Sequence, residues 1–449
     1  MLVVSKFGGT SMGDAAAMKK SAEVCLEHHS SVVVVSATSG TTDRLIEIAK
    51  AASKGELELC DTIIFNLKER HTSLLKQVAP MSEEAASLLQ QNFTELDLLV
   101  QNLTLLKELT PRAYDHMLSL GERISSLIFR EVLRKEAPHK EIVLLDARSV
   151  LKTDSHFGQA APLIDLMASE CKNKMTITEN KIYVTQGFIG SDIQGNTTIL
   201  GRGGSDYSAA LFAEALDATC LEIWTDVPGI ATTDPRICKE AKIIPELAYQ
   251  EAGEMAQYGA KILHPATISP AVRKSIPVFV GSTFAKDEPG TWIRRTVEFR
   301  PPVRAITKRS AQGLVTVTTP NMYNASGFMG SIFDIFAKHR VSVDCVTTSE
   351  ISVAITVDHA TLENIKFIED LKKVGNLEIE KGFSLISLIG NELYRRSNLA
   401  KTIFGTMDEA KIRMMSLGAS PYNFNFLVKE DEANICIQKL HQTLIEAIR

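Results

Sequence analysis

No stretch of the 449-residue sequence approaches the ~20 consecutive apolar residues needed to cross a bilayer, so no membrane-spanning helix is expected. The opening residues 1–6 read as a strand, without the basic and apolar regions of a secretory leader, and a cytoplasmic protein with no membrane partner follows. The seven cysteines (Cys25, Cys60, Cys171, Cys220, Cys238, Cys345 and Cys436) stand singly, and no C-x-x-C occurs. Only Cys25 has histidines close by, His28 and His29, too few for a zinc set, so the thiols read as reduced core filler and no residue is assigned as a metal ligand. The net charge of -5, with 45% hydrophobic and 23% charged residues, offers no electrostatic footprint for nucleic acid. Two phosphate-handling motifs are missing as well. The segment GGTSMGD carries Asp14 where a P-loop needs lysine, while H-R-D and D-F-G are absent. Any phosphoryl transfer here uses another architecture.

What is present centres on Gly201–Leu216, GRGGSDYSAALFAEAL. Three glycines in four positions, one arginine, and Ser205-Asp206 opening an apolar-periodic run describe a loop that hands backbone amides to an anion at a helix N-terminus. The length predicts two or three domains. Residues 2–7 read as a buried strand, 8–11 as a turn, and Asp14 as the N-cap of a helix. A second strand (32–35), a Ser/Thr/Gly turn (36–42) and a helix led by Asp43 repeat the pattern, which implies a parallel sheet with ligands at the strand carboxyl ends. Residues 57–106 predict two amphipathic helices broken at Pro80. Thr110-Pro111 predicts the start of a helix running through Leu133. Within it, Gly121 beside Glu122 costs about 1 kcal/mol against alanine, which suggests a close approach. Further strands are expected at 142–145, 182–185, 221–224 and 277–280, the last closing the series. Around 291–302 the alternation stops, and the domain boundary is placed there. An internal repeat follows. Its first copy predicts strands at 314–318, 341–346 and 352–357 with helices at 330–339 and from Leu362, and 377–380 as a closing strand. The second copy predicts strands at 384–389, 412–416 and 425–428 with helices at 400–407 and 433–447. The order βαββα matches the ferredoxin-like motif.

Lys6 sits in an apolar strand just before two glycines, where phosphate contact is favoured over an edge lysine reaching solvent. Phosphoryl transfer needs cations around the transferred group, and Lys6, Arg202 and Lys261 are candidates. Lys261 reads equally well as a C-terminal helix charge. Glu122 and Arg202 suit the ammonium and carboxylate of an amino acid, although nothing in their spacing brings them together.

The motifs KFGGTS (6–11), SLGE (119–122), TQGFIGS (185–191), GRGGSDYSAA (201–210), WTDVPGI (224–230), TTDPR (232–236) and GAKILHP (259–265) resemble the aspartokinase family over the whole chain. The resemblance implies an α/β protein: an amino-acid-kinase fold, with a mainly parallel sheet between helix layers, over 1–295, followed by two ferredoxin-like βαββαβ ACT domains. The first ACT domain (313–382) would be inserted into the second (303–312 and 383–449), whose first strand would be 304–308. ATP and Mg2+ are the implied cofactors, and the implied reaction moves the γ-phosphoryl group to the β-carboxylate of L-aspartate. Carried over by motif, Lys6 and Asp206 are catalytic. Thr42, Glu122, Arg202 and Ser205 hold aspartate. Lys6, Gly8, Gly9, Thr225, Asp226, Arg236 and Lys261 bind ATP. Met322, Gly327, Phe328, Val343, Asp344, Ser349 and Glu350 match the effector site of the lysine-sensitive, monofunctional type, with Ala325 replacing a serine common there. Lysine is the implied effector and a homodimer through the ACT domains the implied assembly, with pairing into tetramers left open. Ala231 stands where the family often has an aromatic residue, which puts nucleotide affinity in question. The chain ends soon after the repeat, leaving no room for a fused homoserine dehydrogenase. Two rival readings stand beside this one. An acceptor other than aspartate (glutamate, acetylglutamate or a nucleoside monophosphate) keeps the fold but is opposed by the paired repeat and SLGE. An amino-acid sensor without catalysis is opposed by the intact Lys6, Arg202, Asp206 and Lys261.

Overall fold

Valine-rich runs buried on both faces form the centre of the first sheet, as expected for strands covered by helices on each side. The computed structural model describes residues 1–259, 265–322 and 326–447. Its first eleven strands are β1 (Val3–Phe7), β2 (Val32–Val35), β3 (Glu141–Leu145), β4 (Lys152–Thr153), β5 (Lys181–Gln186), β6 (Ile189–Asp192), β7 (Thr197–Ile199), β8 (Cys220–Thr225), β9 (Glu246–Ala248), β10 (Val278–Ser282) and β11 (Thr291–Arg294). Helices α1 (Ala15–Glu27), α2 (Thr41–Lys54), α3 (Leu57–Val78), α4 (Glu83–Leu106), α5 (Pro111–Glu136), α6 (Ala147–Val150), α7 (Ile164–Lys174), α8 (Gly204–Ala215), α9 (Tyr249–Gln257) and α10 (Pro265–Lys274) run between them. Two compact units result. One comprises Met1–Ile230, Ile243–Tyr249 and Ile262–Thr296, the other Ala231–Lys242, Gln250–Lys261 and Val297–Arg449.

In the first unit eight strands pair in the order β3-β5-β2-β1-β8-β10-β11-β9. All neighbours are parallel except β10 and β11. β11 turns back on β10, so the sheet extends beyond 277–280, the strand expected to close it. A small sheet, β4-β6-β7, was not foreseen, because its strands have only two to four residues. The caps behave as their side chains predict. Asp14 accepts the Ala17 N–H at 2.9 Å, and Thr110 accepts that of Ala113 at 3.2 Å ahead of Pro111. One apolar cluster runs from Phe7, Val33 and Val35 to Phe129, Ile128 and Trp224, and a second joins α2, α3, α4 and α5 through Ile48, Leu67, Leu96 and Leu120. Helix α5 contributes to both, so its position is tightly determined.

The second unit is built on β12 (Val303–Thr318), β13 (Val346–Thr348), β14 (Ser352–Asp358), β15 (Asn376–Gly390), β16 (Met414–Leu417) and β17 (Asn423–Lys429), with α11 (Phe328–Lys338), α12 (Ile365–Lys372), α13 (Ser397–Thr406) and α14 (Glu430–His441). The six strands form one antiparallel sheet in the order β13-β14-β12-β15-β17-β16. Strands expected as separate members of two repeats are fused. β12 runs through 304–308 and 314–318, β15 through 377–380 and 384–389, and the two pair from Val303↔Gly390 to Thr318↔Asn376. A register shift between Arg309 and Gln312 divides the halves. Ala311 at φ 55° and Gly382 at φ 79° supply the irregular backbone there. The expected strand at 341–346 is corrected to Val346–Thr348. The Val341 N–H instead closes the end of α11 on the Phe336 carbonyl at 2.9 Å, while Asp344 turns to Arg309. The expected terminal helix 433–447 is α14 followed by a π turn at Gln442–Glu446.

Candidate active site

Lys6 lies on β1 between Val34 of β2 and Ile223 of β8. Its ammonium meets the Asp206 carboxylate at 2.6 Å, with side chains only 11% and 15% exposed. Helix α8 starts after Gly203, whose φ of 73° lets the loop turn into the helix with no capping side chain. Asp206 therefore does not cap; it sits in the first turn, where its charge complements the helix dipole and faces Lys6.

The close approach expected at Gly121 occurs against the turn after β2. A Cβ on Gly121 would lie 2.9 Å from the Ala37 Cβ. That contact places Glu122 beside the same turn, where its Oε1 accepts the Ala37 N–H at 3.1 Å. Oε2 is buried without a hydrogen-bond partner. Burial pushes the carboxyl up to about 8 from its ordinary 4.5, opposed only by backbone N–H groups. A cleft of about 440 Å³ joins these parts: it is lined by Lys6, Gly9, Thr42, Glu122, Arg202, Ser205 and Asp206, together with Thr10, residues 36–40, Asp43, Phe188, Gly201, Gly203 and Gly204. Arg202 is exposed and forms no ion pair among the described residues.

Several supports went unrecognised in the sequence. The Thr38 hydroxyl contacts those of Thr41 at 2.6 Å and the His71 Nε2 at 2.9 Å, while the His71 Nδ1 contacts the Leu67 carbonyl at 2.7 Å. Burial holds the imidazole down to about 4, so it stays neutral and fixes the turn by hydrogen bonds alone. Only the Ser/Thr richness of 36–42 hinted at this, since His71 lies on a helix read as cover. The buried Asp115 accepts the Gly158 N–H at 2.9 Å and the Ile199 N–H at 3.1 Å, which ties β7 to α5 just ahead of the glycine loop. Gly187 is equally constrained, because a Cβ there would fall 2.7 Å from the Ser205 Cβ and 2.8 Å from its Cα. Gly187→Ala is expected to displace the start of α8, costing about 1–3 kcal/mol of stability and up to about 10²-fold in kcat/KM. Thermal melts and steady-state kinetics on the same preparation check both.

Gly8, Thr225, Asp226 and Arg236, also expected at the site, are not among the residues lining this cleft. The Gly8 N–H donates to the Trp224 carbonyl at 3.1 Å, joining β1 to β8. The Thr225 hydroxyl bonds the Asp226 carboxylate at 3.0 Å at the end of β8, and neither residue lines the cleft. Arg236 belongs to the second unit, 84% exposed and paired with Asp234 at 2.7 Å. Lys261 and Ala325 lie outside the described residues. In the second unit Gly327 (φ 85°) precedes α11, and Met322, Phe328 and Val343 pack on one apolar cluster. Asp344 pairs with Arg309 at 2.6 Å; burial still raises its carboxyl, and its Oδ2 is buried without a hydrogen-bond partner. Ser349 bonds Ser352 hydroxyl to hydroxyl at 2.7 Å, and Glu350 is exposed.

Comparison with known proteins gives this geometry its context. A model of the amino acid kinase family matches residues 1–282, and an ACT domain model matches 386–444. The lysine-sensitive aspartokinase 3 of Escherichia coli is 40% identical over 465 residues, covering 99% of each chain. The chain belongs to the aspartokinase family. Aspartokinase 1, chloroplastic, of Arabidopsis thaliana is 31% identical over 99% of this chain and 80% of its own. The crystal structure of E. coli aspartokinase III with aspartate and ADP (R-state) superposes with a TM-score of 0.89 at 39% identity, over 99% of this chain and 100% of that one. The structure of the same enzyme with lysine and aspartate (T-state) gives 0.84 at 40% identity, over 99% of both chains. The enzyme is therefore a kinase that acts on aspartate, built from an amino-acid-kinase fold followed by ACT architecture. Among its described residues no helix is long and apolar enough to cross a membrane.

Proposed function

We propose that this cleft transfers the γ-phosphoryl group of ATP to the β-carboxylate of L-aspartate, giving 4-phospho-L-aspartate, under feedback inhibition by lysine. The observation that carries the proposal is the Lys6–Asp206 pair at 2.6 Å, facing a cleft that also presents Glu122 and Arg202. Glu122 takes the substrate ammonium and Arg202 grips its α-carboxylate, with Thr42 and Ser205 completing the pocket. The β-carboxylate is already a nucleophile, so no general base is required. Lys6 stabilises charge on the transferring phosphoryl oxygens, and Asp206 orients the Lys6 ammonium.

Gly8 adjoins the Lys6 ammonium, a Cβ there standing 3.5 Å from Nζ, and Gly9 lines the cleft, so both are proposed to face the phosphates of ATP. Thr225, Asp226, Arg236 and Lys261 take the rest of the nucleotide by family resemblance. Mg2+ would enter with ATP and neutralise its phosphates, and Asp206 and Asp43 are carboxylates lining the same cleft that would help to hold it.

The proposed domains are a catalytic domain over 1–295 and two ACT domains, 313–382 and 303–312 with 383–449. The register shift between Arg309 and Gln312 agrees with the latter division. Lysine is proposed to bind at Met322, Gly327, Phe328, Val343, Asp344, Ser349 and Glu350. The buried, unpartnered Oδ2 of Asp344 would receive its ammonium, in a cytoplasmic homodimer joined through ACT domains. Support comes from the E. coli structures with aspartate and ADP and with lysine and aspartate. Aspartate-dependent ADP release, measured with and without lysine, threonine or methionine, tests both halves. Activity on aspartate with selective loss on adding lysine is expected; activity unchanged by millimolar lysine would sink the regulatory half.

A further inference from the structure

Away from the cleft, Cys238 and His441, separated by 203 residues, meet inside the second unit. The Cys238 Sγ lies 3.5 Å from the His441 Nδ1, and the same nitrogen lies 2.7 Å from the Glu446 Oε1. The Glu240 Oε2 is 3.4 Å from the sulfur. His441 is fully buried, Cys238 is buried, Glu446 is half-buried and Glu240 is exposed. We infer that Cys238, His441 and Glu446, with Glu240 at the mouth, form a site for a borderline-soft divalent cation such as Zn2+.

The distances suit that ion. With bonds of about 2.3 Å to sulfur and about 2.0 Å to nitrogen, a tetrahedral zinc holds those two atoms about 3.5 Å apart. The Nδ1–Oε1 separation needs to open by roughly half an ångström to admit it. The far imidazole nitrogen, Nε2, is 2.9 Å from the Thr232 hydroxyl, whose oxygen also accepts the Lys242 N–H at 3.1 Å. Such an outer partner fixes the ring and leaves Nδ1 for a metal.

The backbone contributes as well. Five residues apart on an α-helix, His441 and Glu446 would diverge; the π turn at Gln442–Glu446 closes i to i+5 and brings them onto one side. A thiol, an imidazole and a carboxylate within reach of one another select Zn2+ over Mg2+, which prefers an all-oxygen shell. As the metal binds, the Cys238 thiol gives its proton to solvent and the thiolate takes the metal bond. Without an ion the same contacts are hydrogen bonds: the imidazole lies between a hydroxyl and a carboxylate, and the thiol donates to Glu240.

Cobalt titration of the full-length enzyme, freed of metal by chelation, tests the inference independently of activity. One Co2+ per chain is expected, with intense tetrahedral visible bands, a near-ultraviolet thiolate-to-cobalt band, and displacement of both by Zn2+. Cys238→Ser should abolish the near-ultraviolet band, and Glu240→Gln should weaken binding at least about tenfold. Absence of a stoichiometric cobalt site overturns the inference, as does an unchanged near-ultraviolet band in Cys238→Ser. If that variant does not fold, unchanged cobalt affinity in both Glu240→Gln and Glu446→Gln overturns it instead.

Discussion

Lys6→Met is expected to lower kcat for aspartate-dependent ADP release by about 10²–10³-fold with little loss of thermal stability. Methionine keeps most of the lysine stem between Val34 and Ile223, so the strand packing survives. The Asp206 carboxylate is left without its cation, but the N-terminal turn of α8 still favours a negative charge there. Asp206→Ala should reduce kcat comparably and destabilise more, by about 2 kcal/mol, because the Lys6 ammonium is then largely buried and unpaired. The double variant Lys6→Met with Asp206→Asn separates a shared role from two independent ones. If Asp206 acts by orienting Lys6, the double variant is no slower than Lys6→Met alone and more stable than Asp206→Ala. Multiplying losses in kcat would make the two residues independent, and a Lys6→Met enzyme keeping more than a tenth of wild-type kcat would remove Lys6 from the chemistry. Asp206 could still matter as a helix cap only if the glycine loop needed one. Gly203 holds that position with no side-chain bond.

The parts of this site that were legible in the sequence are those whose causes are local. Val32–Val35 could only be a strand buried on both faces, and Asp14 and Thr110 announced their helices through side chains three residues from the amides they cap. The cost of Gly121 in a helix pointed to a close neighbour without saying which; the answer, Ala37, comes from a turn more than eighty residues away. Lys6 and Asp206 each stood out, yet their pairing depends on α8 packing against β1, an arrangement only folding determines. His71 escaped notice because a buried histidine on an amphipathic helix looks like any other core position until Thr38 is brought against it.

The second unit shows the same limit. Period and composition distinguish a strand from a helix, but they do not reveal that β12 and β15 each continue through a bulge to serve both repeats. Residues 341–345 have β-branched character and even so close the end of α11, because backbone capping and the Arg309–Asp344 pair outweigh intrinsic preference. The Cys238, His441 and Glu446 cluster was invisible for a related reason: spacing rules find metal ligands on one turn, not on segments two hundred residues apart.

Glu122→Gln is expected to make the free enzyme more stable and nearly unable to bind aspartate. In the free protein the Glu122 carboxyl is raised to about 8 by burial, so between its ordinary 4.5 and about 8 the folded state holds a proton that the unfolded state has lost. Stability from this group therefore falls as pH rises through that window. The loss at pH 7 is on the order of 3 kcal/mol. Glutamine keeps an acceptor for the Ala37 N–H and carries no charge to desolvate, so the melting temperature of the variant should exceed wild type at pH 8 and converge with it near pH 4. Binding runs the other way. An ammonium beside Glu122 stabilises the carboxylate, so aspartate binding expels a proton below pH 8, and calorimetry in buffers of different ionisation enthalpy should detect that release in wild type alone. The wild-type KM for aspartate should fall as pH rises towards 8, while the variant KM should be about 10²-fold higher and flat across the same range. A variant that is less stable at pH 8, yet keeps the wild-type KM and proton release, would mean that Glu122 braces the Ala37 turn and leaves the substrate ammonium to another group.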